Sequence, residues 1–183
     1  MAGTTRERLL DTALAQFAAR GSEAVAVTDL EQGAGLSPGS GSFYRHFRSK
    51  EDVLAAVVDR EVERAVARRS TAPDDGLDAR YAWSLENLDR MRALVALLVR
   101  EGGRLPRLNR VQTLLAEEGA HLDADDLRGR MARGEIPVRD ADAVASVVLF
   151  ALVGHHLAEQ FFGATVGVDR ARFAAALASL VTT

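Results

Sequence analysis

Apolar residues recur at three- and four-residue intervals through most of the chain, and glycine and proline interrupt that rhythm. From residue 4 or 5 to residue 20, Leu10, Ala13, Leu14 and Phe17 form the stripe of an amphipathic helix that Gly21 ends. Residues 28–34 read as a short helix cut off by Gly35, which supplies the positive φ of a tight turn. Leu36 can fill the space between two crossing helices. Ser37 offers a cap, and Pro38 a ring already set for a helix start, so a second helix is expected close behind. Phe43 and Phe47, four apart, would anchor its inner face. Ser49 with Asp52 forms a capping-box pattern, and Leu54, Val57, Val58, Ala65 and Val66 continue one face of a long helix to about Arg69.

Residues 70–76, STAPDDG, break the pattern and read as a connecting loop. Everything beyond is helical in period, with candidate helices at 77–87, 89–101, 108–118, 124–133, 141–162 and 170–181. Gly102-Gly103, Gly119, Gly134 with Pro137, and Gly163 with Gly167 separate them. No run of alternating β-branched residues is long enough for a sheet, so the expected fold class is all-α. The 141–162 segment is apolar nearly all round in its first half and must be covered from two sides. The last helix, with Phe173, Leu177, Leu180 and Val181 on one stripe, either covers it or joins it in facing a second copy of the chain.

Composition narrows this picture. Without cysteine, neither a disulfide framework nor a thiolate metal site is possible. The N-terminal stretch has charges inside its apolar pattern, unlike a signal peptide, which leads to a cytoplasmic expectation. The longest apolar run, 143–153 with only Ser146 inside, falls short of the roughly 20 residues that span a bilayer, so no membrane is expected. The net charge of −3 argues against coating nucleic acid by bulk positive charge. Residues 1–50 hold six basic and five acidic side chains, however, against 17 and 21 in the remainder, so the N-terminal part is the less repelled by phosphate. The only lysine is Lys50.

Ser40, Ser42, Tyr44, Arg45 and His46 put hydroxyls and cations where a helix-turn-helix would meet base edges and phosphate oxygens, and Arg45 can make the bidentate contact to guanine. The run AGLS followed by GSFYRHFRSKEDVLAAV resembles the DNA-binding signature of the TetR family of bacterial transcriptional repressors. The resemblance implies that Tyr44, His46 and Lys50 touch the DNA backbone and that residues just before Tyr44 face the bases. Thr28 and Ser37 join the candidate DNA contacts. The segment RMARGEIPVRDADAVASVVLFALVG is similar to the region before and within the dimer helix of many such proteins, which favours the last two helices as a homodimer interface.

What the resemblance implies is an N-terminal three-helix DNA-binding domain (1–49) joined by a long fourth helix to a ligand-binding and dimerisation bundle (50–183). The function expected is a repressor that reads an inverted-repeat double-stranded operator and is released by a small-molecule inducer, with no cofactor. Tyr81, Trp83, Met91 and Phe161 are candidate ligand contacts. The alternative is a ligand-binding or scaffolding dimer with a degenerate DNA-binding head. Three departures from the family pattern stand out. Six residues, PGSGSF, separate Ser37 from Tyr44 where four are usual; Glu31 replaces a small alanine; and Ala26 sits where a threonine cap is common. Gly39 and Gly41 flank Ser40, so the start of the reading helix is expected to be looped and ordered mainly by DNA, with bases read from Ser42 onward.

Other chemistry is weaker. Gly35-Leu36-Ser37-Pro38-Gly39 matches a G-x-S-x-G nucleophile elbow, but no strand precedes it and Pro38 lacks the N–H the oxyanion hole needs. His155 and His156 diverge by about 100° on a helix and fit core or interface histidines rather than one metal site. Asp123, Asp125 and Asp126 lack the glycine and glutamate of a calcium loop and read as a polar helix start.

Overall fold

A computed structural model describes residues 4–101, 106–163 and 167–183, with side chains described outside 102–116, 118 and 122. The described residues are helical, with no strand: α1 (Thr5–Arg20), α2 (Val27–Gly33), one 3-10 turn (Phe43–Arg45), α3 (Lys50–Arg69), α4 (Leu77–Arg90), α5 (Arg92–Glu101), α6 (Pro106–Ala132), α7 (Ala141–Phe162) and α8 (Arg170–Thr182). They form two compact units, Met1–Ala67 with Met91–Arg110, and Arg68–Arg90 with Val111–Thr183.

In the first unit α1 is the centre, packing on α2 and α5. Thr4 caps it, its hydroxyl oxygen accepting the Glu7 N–H at 3.3 Å, and its apolar row buries Leu9, Leu10, Ala13 and Phe17 completely. Val25, Leu30, Phe43, Phe47, Val53, Val57, Leu94 and Leu97 complete this core. Arg60 ties α3 to α1 by reaching Glu7 at 3.0 Å and Asp11 at 2.8 Å. Burial alone would ease its proton off, yet these carboxylates hold its pKa above the ordinary guanidinium value.

In the second unit α4 packs on α7 and α8 around Leu77, Tyr81, Leu85, Ala145, Val148, Leu152, Leu177 and Val181. Asp140 and Asp169 cap α7 and α8, accepting the N–H groups of Ala143 and Arg172 at 3.1 and 2.9 Å. The 141–162 segment is one helix, as expected, but it is covered on one side only. Ala141, Ala145, Val148, Leu152 and His156 face inward, while Val147 and Phe150 are 66% and 68% exposed. By length and composition α7 could cross a bilayer, but its inward row belongs to the core cluster, which is how a core helix uses such a composition.

Two boundaries differ from the sequence reading. The break expected near residue 88 falls at Met91. Gly119 interrupts nothing: α6 runs through it, its carbonyl accepts from Arg69 at 3.1 Å, and a Cβ there would stand 3.4 Å from the Arg69 guanidinium. The residue marks a close approach rather than a stop. Asp123 and Asp126 therefore lie inside α6, not at a helix start, and pair with Arg69, Arg80 and Arg130. The separator expected at Gly102-Gly103 lies outside the described residues.

Candidate nucleic-acid interface

The expected reading helix is replaced by a loop and a single 3-10 turn. After α2 the chain reverses at Gly35 (φ 70°), where Leu36 N–H donates to the Glu31 carbonyl at 2.8 Å. Ser37 caps no helix. Its carbonyl accepts the Ser40 N–H at 3.2 Å in a turn, and Gly39 and Gly41 follow at φ 74° and 72°. A right-handed helix cannot pass through two such residues, which is the physical reason the α-helix expected after Pro38 does not form. The looped start was expected; that helical structure would then amount to three residues, Phe43–Arg45, was not.

Two aromatic rings hold this segment down. Phe43 and Phe47 are buried with ring centroids 5.7 Å apart, and the Arg6 guanidinium lies 5.3 Å over the Phe47 ring. Burying each ring contributes roughly 1.5–3 kcal/mol, more than a lost helix hydrogen bond of about 1 kcal/mol would remove. Between the two anchors Tyr44 is 62% exposed, and Arg45 and His46 stand exposed beside it. Ser37 and Ser40 are exposed and Ser42 half-buried, with the Ser40 and Ser42 hydroxyls 2.8 Å apart. Thr28 is exposed in the first turn of α2.

Lys50, the first residue of α3, is half-buried. Its ammonium donates to the carbonyls of Ser22 and Val25 at 2.9 Å each and of Glu23 at 3.4 Å, across the link between α1 and α2. The same link is held from α5, where the buried Glu101 carboxylate accepts the Ser22 N–H at 2.7 Å. With no side-chain cap at Ala26, the start of α2 is held from the other direction, the Asp29 carboxylate accepting the Ala26 N–H at 3.2 Å. Its hydrogen bond from Arg20, with the Ala26 N–H, holds the Asp29 carboxyl below the usual carboxylate range. Glu31 sits behind the reading segment, 1% exposed, with its two oxygens accepting Gly39 N–H at 2.6 Å and Phe43 N–H at 3.1 Å. The sequence flagged Glu31 only as a departure; a carboxylate one residue after the inward-facing Leu30, three before Ala34, was the available signal.

The candidate ligand contacts are spread out. Tyr81 is buried in the second unit's core, its hydroxyl pushed to higher pKa by burial and then by Asp123 and Asp126. Trp83 is half-buried on α4, Met91 belongs to the first unit, and Phe161 is exposed near the end of α7. His155 stacks on Phe173 at 4.2 Å and the buried His156 faces Asp89 at 3.7 Å, positions that fit core histidines.

A family model described as bacterial regulatory proteins, tetR family, matches residues 9–57, the stretch that carries this geometry. The chain is 31% identical over 149 residues to the HTH-type transcriptional repressor KstR2 of Mycolicibacterium smegmatis, covering 76% of this chain and 71% of that protein. Among solved structures, Salmonella enterica GusR is similar with a TM-score of 0.72 and 26% identity, covering 97% of this chain and 93% of that one. A regulator from Saccharomonospora viridis, solved in complex with choline, has a TM-score of 0.77 at 20% identity, covering 96% and 94%.

Proposed function

The chain belongs to the TetR family of bacterial regulatory proteins and is a DNA-binding transcriptional repressor; from that premise we propose how its parts act. Residues 1–49 carry DNA binding, and residues 50–183 carry dimerisation and inducer binding. Two copies read an inverted repeat in the cytoplasm. Tyr44, His46 and Lys50 meet phosphates; Ser40, Ser42 and Arg45 meet base edges; Thr28 and Ser37 add contacts at the margin. A small-molecule inducer held among the later helices, with Tyr81, Trp83 and Phe161 of the second unit as candidate contacts, releases the operator. The observation that carries the DNA reading is the exposed row Tyr44, Arg45 and His46 between two buried phenylalanine anchors.

The test is enrichment of duplexes from a randomised pool by the full-length protein, followed by footprinting. An enriched inverted repeat with protection on both half-sites is expected. One observation favours a second reading, a ligand-binding or scaffolding dimer with a degenerate head: the reading segment has one 3-10 turn where a helix is usual. No enrichment, even at low salt, would remove the first reading and leave the second to be tested by ligand binding.

Dimerisation is supported by the uncovered row on α7, Val147 and Phe150, together with Leu180 on α8, 71% exposed. Leu152 belongs to the unit's own core, so the informative probe is Phe150→Glu. Sedimentation should show folded monomers; a persistent dimer would move the interface elsewhere.

A further inference from the structure

We infer that Glu31 is the positioning residue of the DNA-reading segment, setting which sequence is preferred without touching DNA itself. The inference rests on the reading that this segment meets DNA. Its basis is where the two carboxylate bonds fall. In an α-helix starting after a Ser37 cap, the Ser37 side chain would take an N–H at the second or third helical position, and Phe43 N–H would donate to the carbonyl four residues back, on Gly39. The left-handed glycines remove that path. Glu31 Oε2 takes the Gly39 N–H and Oε1 takes the Phe43 N–H, the two donors that a cap and a helix would have used.

The partners are specific. Among the described residues Glu31 forms no ion pair, so a carboxylate 1% exposed has only backbone N–H groups as its hydrogen-bond donors. An unsatisfied buried carboxylate is costly, whereas bonds to an ionised acceptor are roughly twice as strong as neutral ones. The loop is thus closed around the charge at both ends, and Ser40, Gly41 and Ser42 project from a fixed base. Two of the three unusual features of the head, six residues before Tyr44 and an acid in place of a small residue, are one device: the acid supplies the bonds that the longer segment cannot make for itself. Order of this kind is present before DNA arrives, so its entropy is not lost on binding.

The test uses the full chain and three variants: Glu31→Gln, Glu31→Ala, and Glu31→Ala with Gly41-Ser42 excised. Amide exchange without DNA is the direct reading. In the parent, the Gly39 and Phe43 amides should be protected; in Glu31→Gln, which keeps the volume and one acceptor oxygen, at least one should exchange about tenfold faster, with amides in α1 unchanged. On DNA, Glu31→Gln should lose about tenfold in preference for the duplex the parent enriches over a mixed-sequence duplex of the same length, keeping mixed-sequence affinity and salt slope. Glu31→Ala should lose protection at both amides, and the excision should restore it at Phe43, where a helix bond becomes possible again. A purely packing role would lower melting temperature in both alanine variants and leave the preference ratio alone. Parent-like exchange and preference in Glu31→Gln would overturn the inference. If Glu31→Gln does not fold, Phe43 protection in the excised variant decides. If the parent enriches nothing, the DNA reading fails, while the exchange arm still judges the role of Glu31.

Discussion

The two units differ in where much of their charge goes, although the first also pairs Arg60 with Glu7, Asp11 and the buried Glu61. In the first, Glu31, Glu101 and Lys50 spend their charge on the backbone: two carboxylates accept the N–H groups of Gly39, Phe43 and Ser22, and one ammonium donates to three carbonyls. In the second, charge meets charge. Arg130 reaches Asp126 at 3.0 Å, Asp74 at 3.1 Å and Glu135 at 3.3 Å, Arg80 and Arg69 reach Asp123, and Arg170 joins Asp89 and Glu159. A side chain bonded to backbone fixes the path of an irregular segment. A side chain bonded to another side chain either ties regular elements, as Arg69 and Arg80 tie α3 and α4 to Asp123 of α6, or pins a link to a helix, as Arg130 does with Asp74 and Glu135. The first pattern suits a surface that must hold a shape without a helix to hold it; the second suits a bundle.

The comparison breaks most visibly at Arg130, which is 5% exposed. Arg130→Met leaves Asp126 half-buried beside one remaining guanidinium and should cost about 3 kcal/mol, read by urea denaturation, because the charged hydrogen bonds of one buried guanidinium to three carboxylates are lost together. DNA preference should be untouched. A loss under about 1 kcal/mol would mean the network contributes little to the second unit. Arg45→Ala comes next in size: about 1–3 kcal/mol lost on the enriched duplex and little on mixed sequence, with no change in stability. Equal losses on both duplexes would make Arg45 a phosphate contact.

Lys50 sharpens the contrast because it is proposed for both duties. Lys50→Ala should weaken all sequences about equally, lower the salt slope by roughly one unit and speed exchange of the α1–α2 link. An unchanged slope would confine Lys50 to the link and strike it from the interface. The smallest effect is on acid stability. Burial raises the Asp123 pKa in spite of Arg69 and Arg80, so on acidification the folded state takes up this proton before the unfolded chain does. That uptake favours the fold as pH falls through the window just above the ordinary aspartate value of 3.8. Asp123→Asn removes it, and the variant's stability should fall more steeply with acid than the parent's; Asp29, whose pKa is lowered first by Arg20, works in the other direction. Parallel pH profiles would refute the burial argument at Asp123.

Where the chain is regular, its pattern could be read. α1, α7 and α8 announce themselves by their apolar period, a local property, while the caps at Asp140 and Asp169 emerge only with the structure. Gly119 misled because glycine has two uses, and only the neighbouring Arg69 and Leu149 decide between a stop and a close approach. The turn at Met91 carries no local breaker at all. At the site, the phenylalanine anchors and the exposed Tyr44 were legible from spacing. The partners of Glu31, Glu101 and Lys50 were not, since each bond joins residues between 8 and 79 positions apart.

The position of Lys50 has a practical consequence. It is the only side-chain amine in the sequence, and an acylating reagent needs that nitrogen free of the three carbonyls it holds. One side-chain site per chain, holding the link between α1 and α2 from the start of α3, turns amine labelling at Lys50 into a clock for how often that link opens. Run with and without a bound duplex or a candidate inducer, the labelling rate at Lys50 would show which of them keeps the link shut.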